Sequence, residues 1–143
     1  EAKAAARALG VQLELLEARS PSDLDNAFAA MTREGAVFVF GSPMLLTHRA
    51  RIAELALKSR LPAACASRDY VEAGCLMSYT ANWADLSRRA AYFVDRILKG
   101  TRPADLPVEQ PTKFDLIINL KTARALGLTI PPSILIRADQ VIE

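Results

Sequence analysis

Residues 74–132 run as a strand, a capped amphipathic helix, a Pro-rich crossing, a second strand and a second capped helix. Strands alternating with helices of this size build βαβ units around a parallel sheet. Between them Pro103, Pro107 and Pro111 break a polar stretch. Such a stretch is extended and partly exposed, whether it crosses between lobes or runs over a surface. The expected fold class is α/β: an open parallel sheet flanked by helices, with the chain passing between two bodies.

The rest of the chain repeats the pattern. Residues 1–8 are Ala-rich and Gly10 is a natural stop. Val11, Leu13 and Leu15 alternate, which predicts a strand over 11–16. Ser20, Pro21 and Asp23 read as a capping box that opens a helix ended by Gly35. Residues 36–40, AVFVF, form a continuous apolar run, as a central strand buried on both faces requires. Ser42 with Pro43 starts a helix to about Ser59, and a short strand follows at 63–66. Residues 70–74 read as a loop or single turn and 75–79 as a strand. Asn82 caps a long helix closed by Gly100. Residues 114–118 are another strand, Asn119 caps a helix over 120–126, and a last turn falls within 136–142.

Ligands of parallel α/β sheets sit at the carboxyl ends of the strands, beside helix N-termini. Three such edges are predicted. The first is Gly41, Ser42, Pro43 and Met44, where a glycine permits close approach and a helix start offers amides. The second is Tyr79, Thr80 and Asn82; the third begins at Asn119. Together they suit a small ligand with a carboxylate and an apolar or aromatic part. Capping alone also accounts for Ser42, Asn82 and Asn119, at ~1 kcal/mol each, and Tyr79 suits a sheet end as well as a cleft.

Other chemistries lack their residues. There is no Gly-x-Ser-x-Gly elbow, Walker loop or Gly-x-Gly-x-x-Gly cradle. The single histidine, His48, reads as a solvated helix residue. No catalytic residue, metal site or cofactor is expected. The net charge of +2 is small and its cations are scattered, so nucleic acid is not an expected partner. Cys65 and Cys75 read as two buried thiols, with a bridge open if their strands adjoin. No apolar stretch is long enough to span a bilayer. The opening EAKAAARALG is expected to lie inside a helix rather than in a signal peptide, with a leader removed or the chain a fragment.

The runs at 48–63, 70–100 and 103–143, above all ADLPVEQPTKFDLIINLKTARALGLTIP, resemble the solute-binding components of ABC transporters with the type I periplasmic-binding fold. The resemblance implies two α/β lobes joined by crossing strands, with a small, amino-acid-like solute between them. It places residues 1–70 in the second lobe, without that lobe's opening strand. Residues 71–102 then return toward the first lobe, and 103–143 form the crossing and the second lobe's last strand and helix. It further implies a periplasmic or extracytoplasmic location and a membrane permease as partner. It sets Gly41, Ser42, Pro43, Tyr79 and Thr80 against the cleft. Cys75 and Thr80 stand where similar chains commonly carry glycine, and both stiffen their segment.

Leu86, Ala90, Phe93, Val94 and Ile97 form an apolar stripe that needs a partner. The local sheet, or a second chain in a homodimer or domain swap, is expected to supply it. An effector-sensing domain of a transcription regulator with the same fold is the alternative reading. An enzyme on a flavodoxin-like sheet is a third, without a nucleophile, base or cofactor cradle to support it.

Overall fold

In the computed structural model, residues 2–31 and 35–143 are described. The elements are α1 (Ala2–Ala8), α2 (Asp23–Ala30), β1 (Val37–Val39), α3 (Pro43–Thr47), α4 (Arg49–Lys58), β2 (Ala63–Cys65) and α5 (Arg68–Glu72). They continue with β3 (Met77–Ala81), α6 (Trp83–Leu98), β4 (Phe114–Asn119), α7 (Leu120–Leu126), α8 (Pro132–Leu135) and β5 (Gln140–Ile142). A 3-10 turn, Pro103–Asp105, interrupts the Pro-spaced stretch.

The five strands lie in the order β1-β2-β3-β4-β5. All neighbours are parallel except β3 and β4, which are antiparallel. The reversal follows from the excursion through α6 and the Pro-spaced stretch, which brings the chain back from the direction in which it left. The α/β expectation holds, with a sheet that is mostly rather than wholly parallel.

The row Val39–Cys65–Ser78–Ile117–Gln140 points to one face of the sheet. On that face α2, α4 and α5 bury Leu24, Phe28, Ile52, Ala53, Leu55, Ala56 and Tyr70 together with Val39, Ala63 and Cys65. The other row is Phe38–Ala64–Met77–Ile118–Val141. Ile118 is buried there, but Phe38 and Phe40 are exposed. The run 36–40 is therefore not a strand buried on both faces. β1 is an edge strand, and no described element covers its second face.

Several local expectations fail for identifiable reasons. Residues 11–16 are not a strand, and Val11, Leu13 and Leu15 are exposed. Alternation fits a pleated sheet only where a neighbouring strand takes up the backbone hydrogen bonds. The capping box at 20–23 is half formed: Asp23 Oδ2 accepts from the Ser20 amide at 2.8 Å and the Arg19 amide at 2.9 Å, while Ser20 Oγ donates to the same oxygen. These bonds, Ser20's first, hold Asp23 below the usual carboxylate range. The expected end of that helix at Gly35 involves residues 32–34, outside those described.

The helix after Ser42 breaks at His48, whose backbone leaves the helical region, so α3 and α4 are separate and His48 is half-buried at their junction. Of the loop or single turn expected at 70–74, the turn is present but begins earlier, as the short helix α5, which seals Tyr70 and Val71 in the core. The last turn lies earlier than expected, at α8. The chain end is a strand, fixed where Asp139 Oδ2 accepts from the Leu116 amide at 2.8 Å and the Asp139 amide donates to Leu116 O at 2.9 Å.

Candidate functional site

β3 pairs with β2 only through Met77 and Ser78, but with β4 along all five residues. Tyr79–Ala81 and Phe114–Leu116 thus run past β2 as a two-stranded ribbon. Tyr79 stacks on Phe114 with ring centroids 5.4 Å apart and planes 22° from parallel. Beyond the ribbon α6 buries none of its residues. Leu86 and Phe93 are half-buried, while Trp83, Ala90, Val94, Ile97 and Leu98 are exposed. The local sheet does not take up this stripe, contrary to one of the two expectations for it. Arg89 donates two hydrogen bonds to Glu109, tying α6 to the returning segment, and its guanidinium lies 4.3 Å from the Tyr92 ring centre. That pairing holds Glu109 below the usual carboxylate range.

Two of the predicted edges fall together. Val39, Cys65 and Ser78 form the last row shared by β1, β2 and β3. The residues that follow each strand therefore emerge on one side of the sheet. Gly41 is exposed there, and a Cβ on it would approach the Ala66 Cβ at 3.3 Å, so the first loop lies against the end of β2. Ser42 is half-buried and caps α3, accepting from the Leu45 amide at 3.2 Å. Pro43 is exposed at the first helical position and Met44 is half-buried. Tyr79 is 62% exposed, and Thr80 is half-buried opposite Asp115. Asn82 ends the ribbon and caps α6, accepting from the Asp85 amide at 2.8 Å.

The third predicted edge does not belong. β4 runs against β3, so its carboxyl end lies on the opposite side of the sheet. Asn119 is buried at that end; its Nδ2 donates to Val71 O at 3.0 Å and its Oδ1 accepts from the Thr122 amide at 3.0 Å. Its role is to cap α7 and pin α5. Sequence reasoning also missed Phe114 and the Ala66–Ser67 loop beside the site. An aromatic opening a strand after a polar Pro-spaced run was the available signal for Phe114.

Cys65 and Cys75 are free and buried, with the Cys65 thiol pushed well above its usual range by its contact with Cys75 and then by burial. Cys65 is thus a thiol rather than a thiolate at neutral pH. A thiol reagent is expected to modify neither in the native protein and both after unfolding; rapid native labelling would contradict their burial. Among the described residues there is no group of three or more His, Cys, Asp and Glu able to hold a metal ion.

An open, mostly parallel sheet with its strand-end loops gathered on one side has the architecture of a ligand-binding α/β lobe. Residues 1–142 match the family model described as ABC transporter substrate binding protein, and the chain belongs to that family. Proteins of this family and fold are binders rather than enzymes.

One similar structure is an ABC domain from Streptococcus pneumonia in complex with L-Trp, 30% identical over 98% of this chain and 48% of that one, with a TM-score of 0.86. A conserved domain protein from Vibrio cholerae is 27% identical over 97% of this chain and 47% of that one, with a TM-score of 0.85. A ligand-free, open substrate-binding protein with adhesive properties from Clostridium difficile is 19% identical over 99% and 48%, with a TM-score of 0.76, and shows the fold alone. The chain spans about half the length of the structures it matches. No curated protein matches it. Among the described residues no helix is long and apolar enough to cross a membrane.

Proposed function

We propose that this chain forms one lobe, and the strand and helix that leave it, of the solute-binding component of an ABC-type importer. Residues 1–70 belong to the lobe, 71–102 carry the chain toward a second lobe, and 103–143 return it. The solute is a small, amino-acid-like molecule with an apolar or aromatic part. Gly41, Ser42, Pro43, Met44, Tyr79 and Thr80 line this lobe's side of the cleft, and Asn82 stands where the ribbon meets α6. Closure of two lobes over the solute is stabilised because only the closed state touches it on both sides. The loaded protein works outside the cytoplasm and delivers its solute to a membrane permease.

The observation that carries this reading is the ribbon of β3 and β4. It leaves the sheet beside the open loops and ends in a helix whose apolar stripe finds no cover in this lobe. The Streptococcus complex with L-Trp supports the solute class. Calorimetric titration of the two-lobed protein with the twenty amino acids is the test. Saturable binding at micromolar concentration is expected for at least one aromatic or apolar member, and silence across the whole panel would sink the assignment of solute class.

A further inference from the structure

Asn82 stands where the ribbon becomes a helix, and each of its hydrogen-bonding groups is engaged at that junction, its backbone carbonyl accepting from the Leu86 amide at 3.0 Å. Its backbone amide donates to Lys113 O at 3.0 Å across the ribbon. Its side-chain Oδ1 accepts from the Asp85 amide at 2.8 Å, capping α6. Its Nδ2 donates to both carboxylate oxygens of Asp115, at 2.9 and 2.8 Å. Asp115 lies on β4 opposite Thr80, so one side chain joins the start of α6 to the returning strand. No residue of α6 is buried. With only Leu86 and Phe93 half-buried among its apolar residues, the direction in which it leaves the ribbon depends largely on its first turn and on the Arg89–Glu109 pair further along.

We infer that Asn82 and Asp115 form a positioning joint, which fixes the angle between α6 and the ribbon and so the attitude of whatever α6 carries. That last step rests on the two-lobed reading above; the joint itself does not. A helix cap alone is served as well by Ser or Asp and nearly as well by Thr. Only a side chain with an acceptor for the helix amide and a donor for the carboxylate does both tasks, and asparagine has that pair. Aspartate in its place keeps the cap, loses the donor and sets two carboxylates against each other. Asn82 is thereby a positioning residue rather than a solute contact, because its amide is already committed within the chain.

The substitutions separate the two tasks. Asp115→Ala and Asn82→Asp each remove the joint and leave a capping oxygen; Asn82→Ala removes both. Trp83, the single tryptophan, lies next to the joint and is 71% exposed, so its fluorescence anisotropy decay reports how α6 moves. Asp115→Ala and Asn82→Asp are expected to enlarge the fast wobble of Trp83. They are also expected to raise amide hydrogen exchange in the first turn of α6 by about tenfold, the worth of a charge-assisted hydrogen bond. Exchange at the core amides of Val71 and Ile118 should stay unchanged. Asp115→Asn, which keeps one amide–amide bond, should fall between.

Unchanged decay and exchange in both Asp115→Ala and Asn82→Asp would overturn the joint. So would equal acceleration at Val71 and Ile118, because the pair would then support the fold as a whole. All of these measurements use the 143-residue chain without solute, so failure of the solute assignment leaves their outcome intact, and the reverse also holds.

Discussion

Alone, the 143-residue chain is expected to bind L-tryptophan, or any other amino acid, about a thousandfold more weakly than the two-lobed protein. Micromolar affinity corresponds to roughly −8 kcal/mol, and a lobe supplying half of that is left with roughly −4 kcal/mol, or millimolar binding. Small-molecule sites cover most of their ligand's surface. Here Gly41, Pro43 and Tyr79 open to solvent on one side of a sheet, and no described element faces them from above. A solute resting on these loops stays mostly wet. Parallel calorimetric titrations of the lone chain and the two-lobed protein make the comparison. Micromolar saturation of the lone chain would show that this lobe holds its ligand unaided, and the closure mechanism would fall.

Ile52→Ala is expected to destabilise the lobe by about 3 kcal/mol, in the middle of the range for deleting a large aliphatic side chain from a core. Ile52 is 1% exposed and packs within the cluster of Leu24, Phe28, Val39, Cys65 and Tyr70. A domain of ordinary stability, roughly 5–15 kcal/mol, loses a large share of its margin. Its melting temperature should fall by about 10 °C. Leu57→Ala, on the exposed side of α4, should cost less than about 1 kcal/mol. Urea unfolding of the two variants checks both values. A loss under about 1 kcal/mol at Ile52 would mean that the face built by α2, α4 and α5 is not the main core.

The caps were legible in the sequence. Ser42, Asn82 and Asn119 each accept from the amide three residues ahead, as their positions before periodic apolar runs predict. The helix at 120–126 and the strands at 63–66 and 114–118 were placed within a residue or so for the same reason: local chemistry settles them. What was not legible depends on partners distant in the chain. Nothing in residues 11–16 says whether a neighbouring strand is present to pair with their alternating leucines. Nothing in 114–118 gives the strand's direction, so Asn119 was grouped with loops on the far side of the sheet. Gly41–Met44 and Tyr79–Thr80 could be placed at one end of the sheet because the order of strands and helices locates strand-end loops. Asp115 was missed because its bond to Asn82 spans 33 residues and carries no periodic signature.

The detour between β3 and β4 also governs when the lobe can finish folding. Ile117 and Ile118, both buried, reach the sheet only after the chain has travelled out through α6 and back, an excursion of about 30 residues whose closure costs about 3 kcal/mol in chain entropy. As the protein is synthesised, β1, β2 and β3 emerge well before the strand that must seal β3. The sheet stays unsealed along β3 for that interval, and the length of chain between Ala81 and Phe114 sets how long it lasts.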